Sequence, residues 1–334
     1  MSFKQFENED VIVSADSVSS TVWSTDTYEL TTFFTSSTQE AASSGEYYLN
    51  VYQTGSDLAN SSTQFSIAYG HQNGLGSTVY NSNVEGKSPT STIFGQYRSL
   101  VLGDEERDLL FGGVTSTKGF YAISVDRARY KEKLLPGTFN ITLDDGSSTP
   151  LTLTDNSGQV STVTFNDAGR VYDIITGSNG TAYDSGTGYT EGSYVASYGK
   201  FLPDIGVIIL NGQALDHRLT GLNFNTGSAV TNGVNNATLF KTLTSFKLNS
   251  EETISSNYVF VRVRNSEFNY SNNPSNITGS GELRHNAMVN NPQAYITSVG
   301  LYNDNNDLLG VAKLSKPLLK DFTKEALIRI KLDY

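Results

Sequence analysis

Three histidines, His71, His217 and His285, are the only imidazoles in the 334 residues, and they lie far apart in unrelated contexts. No His-Glu-x-x-His pair or other close ligand spacing joins them, so they read as surface or loop histidines and not as a metal site. The acidic clusters Asp104-Glu105-Glu106-Arg107-Asp108 and Asn303 to Asp307 lack the sixth-position Gly and twelfth-position Glu of a calcium loop. Like Asp144-Asp145-Gly146, they read as solvated turns. Glycoside hydrolysis needs two carboxylates across a cleft. With 34 acidic residues some pair is guaranteed, so the sequence singles out none. No Gly-x-Ser-x-Gly elbow is present. The pairs Gly74-Leu75-Gly76 and Gly186-Thr187-Gly188 lack the Lys-Ser/Thr of a phosphate loop. Cysteine is absent, which removes disulfides and thiolate ligands and suits assembly in a reducing cytoplasm. On these grounds we expect no catalytic residues, no cofactor and no metal.

What remains is an aromatic supply of 19 Tyr and 17 Phe against the single Trp23. Tyrosine offers a large contact area and a hydroxyl at low entropic cost, which favours it at protein interfaces. Most of these rings must simply pack strands. The candidates for protein contact are Phe3 and Phe6, on an N-terminal stretch that reads as a docking arm or a first strand, and Phe268 and Tyr270 in Asn265 to Ser271. The formal charge is -11, so nucleic acid is disfavoured as a partner, because phosphate binding draws on basic faces. No run approaches the eighteen or so apolar residues of a spanning helix, and no apolar run follows the first charges, so neither a membrane span nor a secretory leader is expected. Charged residues are only 17 %, with Ser, Thr, Asn, Gly and Tyr in their place, which favours strands with uncharged polar outer faces.

The elements that would position these residues are mostly strands. Val11–Val13, Tyr28–Phe34, Tyr47–Tyr52 and Gln64–Tyr69 alternate with turn clusters, and a meander runs from 138 to 171. Gly206–Gly212 reads as a fully buried strand and Tyr258–Arg264 as another. Tyr295–Tyr302 and Leu308–Leu314 flank an Asn/Asp turn as a hairpin, and Ile328–Tyr334 alternates to the end. Helices are predicted over 88–102 and 125–135, with a short one over 239–248. The fold class is therefore mainly β, antiparallel and sandwich-like, with a few short helical insertions. The expected organisation is an N-terminal β-rich domain over 1–137, a meander over 138–212, and a C-terminal β domain over 213–334. The C-terminal hairpin is expected to close the last sheet, so that loss of residues 295–334 abolishes folding.

Several stretches resemble virion structural proteins of marine, T4-like contractile-tailed phages (cyanophage-type myoviruses). They are Ile296–Pro317 (ITSVGLYNDNNDLLGVAKLSKP), Val263–Ser275, Phe65–His71, Phe94–Leu102 and Ser124–Leu143, spread over most of the chain. The resemblance implies a non-enzymatic particle component without supplying a catalytic motif. The hairpin resembles sheet modules of tail, baseplate and fibre-attachment proteins, which points to the tail or baseplate. The implied partners are other virion proteins and copies of the chain itself. The implied location is the virion, with the host cytoplasm during assembly. A receptor- or carbohydrate-binding module on a tail fibre, meeting a host surface glycan, and a capsid or neck decoration protein are the alternatives.

Overall fold

Strand Val207–Asn211 shows how the molecule is built. All its residues are buried, because both faces of the strand are covered. Ile208 and Leu210 point into one apolar core, whereas Val207 and Ile209 point into a second on the opposite face. Its neighbour Gly119–Val125 divides in the same way, with Tyr121, Ile123 and Val125 on one side and Phe120 and Ala122 on the other. The computed structural model describes residues 4–36, 48–74, 89–104, 109–111, 115–146, 149–183, 190–191, 194–195, 197–220, 224 and 232–333.

These strands belong to one antiparallel sheet. Its order is Glu29–Leu30, Leu243–Lys247, Asn140–Leu143, Leu151–Asp155, Gly169–Ser178, Gly199–Leu202, Val207–Asn211, Gly119–Val125, Thr63–His71 and Tyr48–Tyr52. Short strands Thr164–Asn166 and Thr181–Ala182 pair beside Gly169–Ser178. The sheet curls into a half-barrel, and the protein is mainly β with a few short helices, as its composition leads one to expect. On one face an aromatic cluster fills the core. Phe246 lies 5.0 Å from Trp23, 5.2 Å from Phe65 and 6.0 Å from Phe139, and Phe139 stacks on Phe201 at 5.2 Å. Tilted and edge-to-face pairs of this kind add to the apolar burial of each ring.

Helix Pro89–Leu102 covers the other face with Phe94 and Val101. It sits directly on strand Thr63–His71, because Gly70 has no side chain. A Cβ there would lie 2.9 Å from the amide nitrogen of Phe94. The helix predicted over 125–135 does not form. Asp126 caps a single 3₁₀ turn, Arg127–Arg129, by accepting from the Ala128 amide at 2.8 Å. The chain is then drawn into strand Lys133–Leu134 by pairing with Ser250 and Glu251. Over 239–248 the helix ends early. Asn232–Thr242 is helical and Leu243–Lys247 is a strand, where Phe246 reaches the aromatic core while Leu243–Lys247 pairs with Asn140–Leu143. Helix Gly212–Arg218 was not predicted; Asn211 caps it by accepting from Gln213 N at 3.1 Å.

The chain divides into two compact units, residues 18–252 and residues 1–17 with 253–334. Both expected boundaries, at 137/138 and 212/213, fall inside the larger unit. Everything described so far belongs to that unit. In the smaller one, the end of strand Asn249–Val263 pairs with Ala326–Asp333 from Ser256↔Asp333 to Val263↔Ala326. The predicted hairpin forms as Ala294–Tyr302 and Leu308–Lys320, but among the described residues it closes no larger sheet and its two strands pair only with each other.

Candidate interaction site

The smaller unit holds the described residues singled out for contact. The turn after strand Asn249–Val263 begins where the Arg264 amide donates to Glu267 Oε2 at 2.8 Å. That bond, against the opposing effect of desolvation and with the help of Lys4 and Arg264, holds the Glu267 carboxyl below the ordinary glutamate range. Lys4, on the N-terminal arm, reaches the same place. Its Nζ lies 3.6 Å from Glu267 Oε2 and donates to the Arg262 carbonyl.

A buried lysine ties down the other end of the turn. Lys320 is fully buried, and its three ammonium protons meet three acceptors: the Asn265 carbonyl at 3.0 Å, Asn269 Oδ1 at 2.7 Å and the Asp321 carbonyl at 2.9 Å. An unpaired ammonium in such a place would be costly, so the triple bond set is what permits its burial. Asn269 completes the clamp by donating from Nδ2 to the Asn265 carbonyl at 2.7 Å. Asp321 in turn accepts from the Thr323 hydroxyl at 2.6 Å and its amide at 2.9 Å, which keep its carboxyl below the usual range.

Between Glu267 and Asn269 sits Phe268, with φ of 52°. A bulky residue in the left-handed region is strained by about 1–2 kcal/mol, and persists only where its surroundings dictate the backbone. Here the Glu267 and Lys320 bonds do so, and the ring is left 39 % exposed. Tyr270 follows at 63 %. The structure therefore presents Phe268 and Tyr270 on a turn hydrogen-bonded at both ends. Phe6 is also exposed, two residues from the Lys4 anchor. Phe3 lies outside the described residues.

The remaining chemistry-bearing residues serve the fold. His71 is buried, and burial together with Lys118 lowers its pKa; its Nδ1 accepts from the Asn73 amide at 3.2 Å. His217 and His285 are exposed. Trp23 is buried and donates to the Phe246 carbonyl at 3.1 Å, so it serves the core. Burial raises the Asp155 carboxyl, against hydrogen bonds from Ser157 and Gly137 that hold the turns together. Asn303 Oδ1 accepts from the amides of Asn305 and Asp307, so that cluster is a self-bonded turn. Gly146 N donates to Asp144 Oδ1 in the same manner. Residues 105–108 of the other acidic cluster, and Leu75, Gly76 and 186–188, lie outside the described residues. Among the described residues, no group of three or more His, Asp or Glu is placed to hold a metal, and no helix is long and apolar enough to cross a membrane.

Two features escaped sequence reasoning. Lys320 looks like any lysine at the end of a strand, and only the tertiary structure buries it. The hairpin's solvent-facing apolar surface was legible in principle, because Ala294–Tyr302 and Leu308–Leu314 place apolar residues on both parities. Comparison with models of protein families, with curated proteins and with solved structures finds no match.

Proposed function

We propose that the chain is a non-enzymatic structural component of a phage virion, in the tail or baseplate, that holds neighbouring virion proteins through its β-rich surfaces. The observation that carries the reading is the contrast in burial. Among the described residues, the larger unit buries two aromatic and aliphatic cores, one on each face of its sheet, whereas the smaller unit buries only Val259, Val263 and Ile330 of its apolar side chains. Strands that leave their apolar residues in water are built to be covered by other chains. A turn hydrogen-bonded at both ends that offers Phe268 and Tyr270 fits the same use, since pre-ordered aromatics bind at low entropic cost. The virion and its tail rest on the sequence resemblance.

The test is electron microscopy of purified particles labelled with antibody against this chain. Label on the tail or its distal plate is the expected result. Label on the head or collar moves the chain within the particle, and absence from both intact and disrupted particles overturns the reading.

A further inference from the structure

Lys320 ends strand Leu308–Lys320, and Asn269 lies 51 residues before it, in the turn that follows strand Asn249–Val263. Both side chains are buried, Lys320 completely and Asn269 to 2 % exposure. Lys320 Nζ donates to Asn269 Oδ1 at 2.7 Å. Its other two acceptors, the Asn265 and Asp321 carbonyls, are also uncharged, so its three donors are satisfied with no anion among them. A buried charge held by neutral groups alone keeps a desolvation cost that an ion pair would offset and a neutral bond would abolish.

We propose that Lys320 and Asn269 react to form an intramolecular isopeptide bond. Nζ attacks the side-chain carbon Cγ of Asn269, the Nζ–Cγ bond forms, the Cγ–Nδ2 bond breaks, and Nδ2 leaves as ammonia. The inference goes beyond the assembly reading and does not rest on it. Only the neutral amine is nucleophilic, so the lysine ammonium first gives up a proton. The Asp321 carboxylate is next in the chain, and its charge acts on Lys320. Hydrogen bonds from Thr323 keep it ionised, and it is placed to take that proton. The same proton then goes to the departing nitrogen, which leaves as ammonium. An ammonium and an amide thus give an amide and an ammonium, with no oxidant, cofactor or further reagent.

The geometry favours the step. At the usual carbonyl angle, a nitrogen 2.7 Å from Oδ1 stands roughly 3–3.5 Å from Cγ, the separation of a near-attack arrangement. The Asn265 carbonyl accepts from Lys320 Nζ at 3.0 Å and from Asn269 Nδ2 at 2.7 Å, so it holds the attacking and leaving nitrogens side by side. The left-handed backbone at Phe268 turns Asn269 inward between the exposed rings of Phe268 and Tyr270. The unit also has a use for the link. Among the described residues it buries only three apolar side chains, and the chain has no cysteine for a disulfide. Small cores rely on staples, and a covalent tie across this loop would restrict the unfolded chain as a disulfide does.

The experiment is mass spectrometry of the purified, denatured full chain. The wild type is expected to be lighter than its sequence by one ammonia. A tryptic digest should contain one branched species that joins the Lys320 and Asn269 peptides. Lys320→Arg and Asn269→Ala are each expected to restore the full mass. The branched peptide is read in the wild type and does not depend on a variant folding. Asp321→Asn should lower the linked fraction of freshly made protein, and an unchanged fraction overturns its part as proton acceptor. A wild type of full mass without the branched peptide overturns the inference. So does an ammonia loss that persists in Lys320→Arg, which would mark succinimide formation at another asparagine.

Discussion

The two units of this chain solve the problem of burying apolar strands in different ways. In the larger unit every long strand of the half-barrel has a covered inner face, and helix Pro89–Leu102 covers part of the outer face, so runs such as Val207–Leu210 are dry on both sides. In the smaller unit strands of 8 to 13 residues carry Tyr295, Leu309, Val311 and Leu327 into solvent at 61 to 71 % exposure. Its order comes instead from hydrogen bonds and charges, chiefly Lys320 and its three acceptors. The first unit has a core that stands by itself, and the second has a polar frame that displays an apolar surface.

The largest test of this contrast is removal of residues 295–334. The sequence pattern alone leads one to expect that folding is abolished. The structure suggests the opposite outcome, because among the described residues the deletion takes only Ile330 from the buried apolar set. Denaturant unfolding followed by fluorescence of Trp23, which lies in the larger core, should remain cooperative. Loss of the transition would mean that the two units fold as one. Within the larger unit, Phe246→Ala should lower stability by about 3–5 kcal/mol, since the ring contacts Trp23, Phe65 and Phe139 and leaves a cavity among them.

In the smaller unit, Lys320→Met should cost about 1–3 kcal/mol, because it removes the charged donor from the buried Asn269 Oδ1. Hydrogen exchange should accelerate over 264–270 and stay unchanged in the larger sheet; uniform acceleration would argue against a local clamp. Asp204→Asn should cost about 1–2 kcal/mol at neutral pH, through the paired bonds to Arg170 at 2.7 and 3.0 Å. Burial pushes the Asp204 carboxyl up, but hydrogen bonds and charge from Arg170 outweigh it and leave the pKa below the ordinary aspartate value. A lowered folded-state pKa stabilises above the unfolded value and loses that contribution as pH falls through the folded one. The gap between wild type and variant should therefore close on acidification, and a gap independent of pH would remove the charge from the explanation. The smallest effect is expected at Leu327→Ala, within about 0.5 kcal/mol for the monomer despite the size of the side chain, because it is 61 % exposed.

The sequence read well where a short pattern suffices to decide the outcome. Within the expected 206–212, residues 207–211 form a dry strand because four consecutive branched side chains leave no polar face. The Asn303–Asp307 turn forms because Asn303 bonds its own downstream amides. The 89–102 helix forms where apolar spacing is helical and Pro89 starts it. The reading failed where a distant partner competes. Residues 125–135 carry good helix formers, yet Ser250 and Glu251 pull Lys133–Leu134 into a strand. Leu243–Lys247 leaves its helix because Asn140–Leu143 offers a pairing edge and the core a place for Phe246. At the candidate site, composition drew attention to Phe268 and Tyr270, but nothing local shows that Phe268 is held in a left-handed backbone.

By itself, then, the sequence determined a mainly β, acidic chain without cysteine or a recognisable catalytic motif, because alternation, turn residues and composition act over a few positions. Only the tertiary structure decided that the C-terminal hairpin stands apart from the other sheets, that Lys320 is buried, and that one unit keeps its apolar surface bare. Burial is a property of what lies opposite a side chain, and that neighbour is distant in the sequence.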